Sequence, residues 1–233
     1  MLGIIGAMDQ EVAAILEKLS DKELKEYYAI KYWKGYINGI ECVIGQSGIG
    51  KVNAARCTQI MIDKYKPDSI INIGSAGALN PELEIGDVVI SSSSIYHDVD
   101  LTIFGHEKGY LSDLDDRFIK ADKKLIEQCK EVMGKIKNDT YNIMIGPIAT
   151  GDQFHNDPDI KAELFEEFGA YCDDMEAAAI AHVCLLCEIP YVVIRSISDK
   201  PKSKSELTFY DFLDLASARC AEFVDSYTKK FKN

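Results

Sequence analysis

The chain has 233 residues, long enough for one α/β domain over 1–233 that buries its core without disulfide or metal staples. Its 38 acidic residues outnumber 26 basic ones, a formal net charge of -12 that disfavours nucleic acid and anionic membranes and suits a small neutral or cationic ligand. The start MLGIIGAMDQEV lacks the basic stretch of a signal peptide, and no apolar run is long enough to span a membrane. The seven cysteines, scattered and odd in number, read as buried reduced thiols; this holds for Cys184 and Cys187 too, whose C-x-x-C spacing has no second ligand pair. A cytoplasmic location is the expectation.

Leu2 to Ala7 is a short apolar run and predicts a buried strand. Residues 9–19 place Val12, Ile15, Leu16 and Leu19 on one helical face. Tyr27 to Ile37 alternates, Asn38-Gly39 signals a hairpin, and 41–45 returns. Gly48-Ile49-Gly50 precedes a helix over about 51–65. Ser69 to Ile73 predicts a strand ending in the Gly-rich turn GSAGAL, and 87–91 the next strand. Residues 99–120 have no sustained period and predict a long loop. A helix over 121–134, a strand over 143–149 and the polar loop TGDQFHND follow. Pro158 opens a further helix, as proline does at a first helical position. Strand-like 171–175 leads into the helix EAAAIAHVCLLC, then come a strand over 191–197, a Lys/Ser-rich loop over 199–206 and a last helix over 208–230. This alternation predicts a three-layer α/β/α sandwich around a mixed, mostly parallel sheet, with ligands bound beyond the carboxyl ends of its strands.

Polar clusters follow the predicted strands at Met8–Glu11, Gly74–Gly77, Gly151–His155 and Ser196–Asp199, and Asp174-Met175-Glu176 marks a strand-to-helix junction. Taken singly each has a plain structural reading: an acid at a helix N-terminus complements the dipole, an aspartate caps a turn, and GSAG turns the chain. Three carboxylates at strand ends on one sheet edge favour a site instead, because converging acids perturb one another's protonation. No Ser-His-Asp device, no zinc spacing among His97, His106, His155 and His182, and no complete phosphate or dinucleotide loop is present. Hydrolysis of an acetal-like bond by carboxylates alone, with no cofactor and no metal, fits best.

GIIGAMDQEV, QSGIGKVNAA, INIGSAGAL, DMEAAAIAHVC and RSISD resemble the signature segments of the 5′-methylthioadenosine/S-adenosylhomocysteine nucleosidases, in the family's order and over nearly the whole chain. The resemblance implies the nucleoside phosphorylase fold and release of adenine from methylthioadenosine and S-adenosylhomocysteine, with 5′-deoxyadenosine a further candidate. It implies Glu11 as the base that activates water, Asp199 as the acid that protonates the purine, and Glu176 on the ribose hydroxyls. Phe154 would stack on adenine while backbone near His155 reads its edge. Met8, Ile49, Met175 and Phe209 would line the pocket with Asp174, and Ser75, Ala76, Gly77, Arg195 and Ser198 would shape the water site and hold the acid. Phe104, from the partner subunit of a homodimer, would close the 5′ end. Two positions depart from the pattern: Asp174 stands where relatives often carry Glu, and Ser112-Asp113 where they often carry proline.

The competing readings are a purine nucleoside phosphorylase, a nucleoside-binding protein without activity, and a related adenosine-type hydrolase such as a futalosine hydrolase. A phosphorylase needs arginines for its dianionic phosphate. Related phosphorylases carry one two residues before the Gly-Ser turn, where this chain has Asn72.

Overall fold

The computed structural model describes residues 1–136, 141–200 and 205–231, with side chains of the last helix from Phe212 onward. The first apolar run forms β1 (Leu2–Gly6), buried throughout. α1 (Asp9–Leu16) stops earlier than the apolar spacing predicts, and Leu19 reaches the core from the turn that follows. β2 (Ser20–Tyr27) escapes sequence reading because nearly all its side chains are exposed; backbone pairing alone makes it an edge strand. Its partner β3 (Ile30–Ile37) and β4 (Ile40–Gln46) form the predicted hairpin, with Asn38 and Gly39 both at positive φ as a type I′ turn requires.

α2 (Lys51–Tyr65) matches its predicted span. β5 (Ser69–Ala78) and β6 (Val88–Tyr96) both run longer than predicted. GSAGA is therefore strand, not turn, and neither Gly74 nor Gly77 has positive φ. The region read as a loop holds a 3₁₀ turn at Thr102–Phe104, a single bridge between Leu111 and Asp116, and the two-residue β7 (Ile119–Lys120). The chain continues through α3 (Lys123–Ile136), β8 (Ile143–Thr150) and α4 (Pro158–Phe168), whose first turn Asp157 caps by accepting from the Asp159 N–H. It ends with β9 (Cys172–Asp174), α5 (Ala177–Leu186), β10 (Tyr191–Asp199) and α6 (Ser205–Lys230). The predicted Lys/Ser-rich loop falls largely outside the described residues. None of the described helices is long and apolar enough to cross a membrane, and the cysteines are free thiols.

Helices cover both faces of one mixed sheet. α2 and α5 pack in one apolar cluster, and α1, α3 and α6 in the other. β1 divides its side chains accordingly, Ile5 to the first cluster and Leu2 and Ile4 to the second, as a strand's period of two dictates. β4, β1, β5 and β10 run parallel. β6, β8 and β9 are parallel to one another but antiparallel to that set, through the β10–β6 and β5–β9 pairs. Because β5 pairs with both β10 and β9, the strands β5, β10, β6, β8 and β9 close into a ring, while β4, β3 and β2 extend from β1 as an open meander. In an open sheet the carboxyl ends of β8 and β9 would point away from those of β1 and β5. Pairing of Gly77 with Asp173 and of Ala78 with Cys172, at the far end of β5, brings the end of β9 back to the same cleft.

Candidate active site

A cavity of about 490 Å³ opens where these strand ends meet, within the usual size for a small-molecule site. Glu11, Glu176 and Asp199 all line it, although they come from three different elements. Glu11 sits in the first turn of α1, and its Oε2 accepts from the N–H groups of Ala7 (2.8 Å) and Met8 (3.1 Å). Its Oε1 accepts from the Ser75 N–H (3.0 Å) and, more weakly, from the Ser75 hydroxyl (3.3 Å). The helix-terminus reading of Glu11 is thus true as well, since its carboxylate satisfies backbone donors at the start of α1 while lining the cavity. Gly74 earns its place by space: a Cβ there would come within 2.7 Å of Glu11 Oε1.

Glu176 stands at the N-terminus of α5, yet its side chain makes no cap there. It reaches across to accept from the Gly50 N–H at 2.8 Å, the first donor of α2. Gly50 turns at φ 97°, which a side chain rarely tolerates, so glycine is what aims that N–H into the site. Burial, then the neighbouring Asp174, push the Glu176 carboxyl up to about 8. Lys51 ties the same turn to the opposite wall: its N–H donates to Asp152 at 3.0 Å and its ammonium pairs with Asp98 at 2.6 Å.

Asp174 lines the cavity, but its oxygens are committed inward. It accepts from Thr150 Oγ1 (2.6 Å), from the Ala177 N–H at the start of α5, and from Arg195 Nε (2.9 Å) and Nη2. Arg195 is wholly buried, also donates to Asn72 Oδ1 at 2.7 Å, and does not line the cavity. Asn72, the position where an arginine would have favoured phosphate, is part of this scaffold.

At the other end Asp199 is buried, with Ser198 Oγ donating to its Oδ1 at 3.1 Å. The Lys161 ammonium lies 2.5 Å from its Oδ2. Asp173, beside it on β9, is buried and meets His155 Nδ1 at 3.0 Å. Burial raises the Asp173 carboxyl, and the His155 contact opposes that rise. Phe154 stands half exposed at the rim with Ile49, and Met8, Ala76, Gly77, Met175 and, from α6, Leu213 are among the other wall residues. No lysine or arginine lines the cavity among the described residues.

Of the residues singled out in the sequence, Arg195 supports the site from behind and Phe104 lies outside this cavity with 75% of its surface exposed. The Phe209 side chain falls outside the described residues. Sequence reading misses Lys161 and Asp173. The doublet Asp173-Asp174 was a signal for the second, whereas Lys161 sits in PDIKAELF, a stretch that reads as an ordinary solvated helix start.

The family model of the phosphorylase superfamily matches residues 1–229. The 5′-methylthioadenosine/S-adenosylhomocysteine nucleosidase of Tolumonas auensis is 42% identical over 230 residues, covering 98% of this chain and 99% of its own. The crystal structure of the nucleosidase of the same name from Neisseria meningitidis, in complex with methylthio-immucillin-A, superposes with a TM-score of 0.93 at 35% identity, covering 99% of both chains. That from Colwellia psychrerythraea, in complex with adenine, gives 0.92 at 38% identity over 97% of this chain and 93% of its own.

Proposed function

The chain belongs to the phosphorylase superfamily and, within it, to the 5′-methylthioadenosine/S-adenosylhomocysteine nucleosidases, and on that premise we propose that it hydrolyses the N-glycosidic bond of these two nucleosides, releasing adenine. 5′-Deoxyadenosine belongs to the same substrate class. The observation that carries this reading is the lining: the five carboxylates Glu11, Asp173, Asp174, Glu176 and Asp199, and no lysine or arginine among the described residues. A dianionic phosphate would meet carboxylates and find no arginine, since Arg195 is engaged by Asp174 and Asn72. Water is the nucleophile such a cavity accepts.

The proposed steps are these. Breaking C1′–N9 leaves positive charge on the sugar and an electron pair on the purine. Glu176, anionic once its proton is lost, binds the ribose hydroxyls and stabilises that charge. Glu11 takes the proton of the attacking water. Of its four hydrogen bonds the one from the Ser75 hydroxyl is the longest, so that donor yields its place to the water. Asp199 delivers a proton to purine N7, which makes adenine a good leaving group. Phe154 offers an aromatic face to the base and Met8 and Met175 an apolar wall.

We read the whole of 1–233 as one catalytic domain, cytoplasmic and working as a homodimer. Ile103 and Phe104 support the dimer, since both stand almost bare on the 3₁₀ turn. Adenine release from a panel of methylthioadenosine, S-adenosylhomocysteine, 5′-deoxyadenosine, adenosine and inosine, with and without phosphate, tests the function. Phosphate-independent release from the first two supports it; a requirement for phosphate, or no release, refutes it.

A further inference from the structure

Lys161 lies on α4 with its side chain wholly buried. A buried ammonium is costly, and the rest of the packing around α4 is apolar, through Leu164, Phe165 and Phe168. A leucine or methionine would fill the place at lower cost, so the lysine answers to its partner. That partner is Asp199 Oδ2, at 2.5 Å. A Cβ on Gly77 would come within 2.7 Å of both Lys161 Nζ and Asp173 Oδ1 and 3.1 Å of Asp199 Oδ2, so the three groups meet over one glycine. The charged and titratable groups around the ammonium are Asp199 from β10, Asp173 and Cys172 from β9, and beyond Asp173 the ring of His155. Asp173 Oδ1 has no hydrogen-bond partner among the described residues.

This arrangement creates a chemical problem for an acid catalyst. A carboxyl can give a proton only if it holds one, and an ammonium in contact favours the carboxylate. We infer that the Asp199–Lys161 pair, rather than Asp199 alone, is the acid: Lys161 is a positioning residue that supplies, through Asp199, the proton taken by the departing purine. The inference rests on the role given to Asp199 above. The proton crosses from Nζ to the carboxylate and from the carboxyl to N7 as C1′–N9 breaks. The bonding pair of C1′–N9 goes to the base, adenine leaves neutral, and hydroxide from water bonds to C1′ while Glu11 keeps the other proton. Lys161 is left as a neutral amine beside an anionic Asp199. Once the products leave, it recovers its proton through Asp199, which lines the cavity.

The test compares two leaving groups on the same 5-methylthioribose: adenine, which needs the proton, and 4-nitrophenolate, which leaves without it. Their ratio of kcat cancels the ionisations of Glu11 and Glu176, which both substrates share. In the wild-type enzyme the adenine-to-nitrophenolate ratio stays level across neutral pH and falls only in the alkaline range of a lysine. A ratio already falling about tenfold per pH unit from the carboxyl range overturns the inference, since that is the profile of a lone aspartic acid. Lys161→Met lowers the ratio about 10–10²-fold at neutral pH and moves its fall to lower pH, while nitrophenolate release changes little. Lys161→Arg keeps the charge but cannot give up a proton, so it leaves the ratio low. An equal loss on both substrates in soluble variants with wild-type melting profiles, or recovery of the ratio by arginine, overturns it. Failure of the wild type to release adenine refutes the proposed function instead. If the variants do not fold, the wild-type profile alone decides.

Discussion

The two ends of the cavity hold their carboxylates by different means. At the sugar end Glu11 and Glu176 are held by neutral donors, four to Glu11 and the Gly50 N–H to Glu176. Arg195 acts on both through its charge but hydrogen-bonds neither, pairing instead with Asp174. At the purine end Asp199 meets a lysine directly and Asp173 meets a histidine. The difference matches the role proposed for each end. A carboxylate that stabilises a cationic sugar must present negative charge to the ligand; neutral donors fix its position without cancelling that charge, which Glu176 supplies once its raised carboxyl has lost its proton. A carboxyl that passes a proton onward gains from a partner able to exchange one.

The sharpest way to break this contrast is to remove proton transfer at each end separately. Glu11→Gln should lower kcat about 10²–10⁴-fold on adenine and nitrophenolate substrates alike, because both need activated water. Asp199→Asn should match that loss on methylthioadenosine and spare the nitrophenyl substrate. Parallel losses in the two variants would erase the distinction. The support behind the sugar end should prove mainly structural. Asp174→Ala leaves Arg195 buried without its carboxylate and should cost about 3–5 kcal/mol by urea unfolding; a loss under 1 kcal/mol would show the pair to be dispensable.

The raised carboxyl of Glu176 gives a third test, with a definite sign. Its folded value of about 8 exceeds the ordinary 4.5, so between these the folded chain keeps a proton that the unfolded chain releases. Its contribution to stability is therefore complete below pH 4.5 and is lost as pH rises through 8. Glu176→Gln should melt higher than wild type at pH 9 and close to it at pH 4. In the wild type, kcat/KM should rise as pH approaches 8, since the anion is the form that meets the ribose. A flat profile, or no gain in melting temperature, would contradict the assignment. The smallest effect concerns the 5′ end. Phe104→Ala should raise KM for methylthioadenosine about three- to tenfold, and for adenosine less, if a partner lends this ring. A fully active monomer by sedimentation at assay concentration would remove the shared site and leave the carboxylate chemistry intact.

Much of the site was legible because its residues stand at strand ends in punctuated local patterns. Glu11 follows the first apolar run, Asp199 ends the last, and Glu176 opens an alanine-rich helix. Element type was equally readable in α2, where burial follows the helical period, and in β1, a short apolar run buried throughout. It was not readable in β2, whose exposed side chains carry no burial signal, nor in GSAGA, where glycines that look like a turn are strand residues making room for carboxylates. The chain's own pattern thus determined the α/β order, the three acids and the absence of a phosphate arginine at Asn72. The tertiary structure alone decided that β5 closes a ring, bringing Asp173 and Glu176 to the cleft of Glu11 and Asp199, and that Lys161 turns inward. The physical reason is that strand ends and helix faces are set by neighbours in sequence, whereas ring closure and the partner of a buried charge depend on residues distant in the chain, 38 positions apart for Lys161 and Asp199.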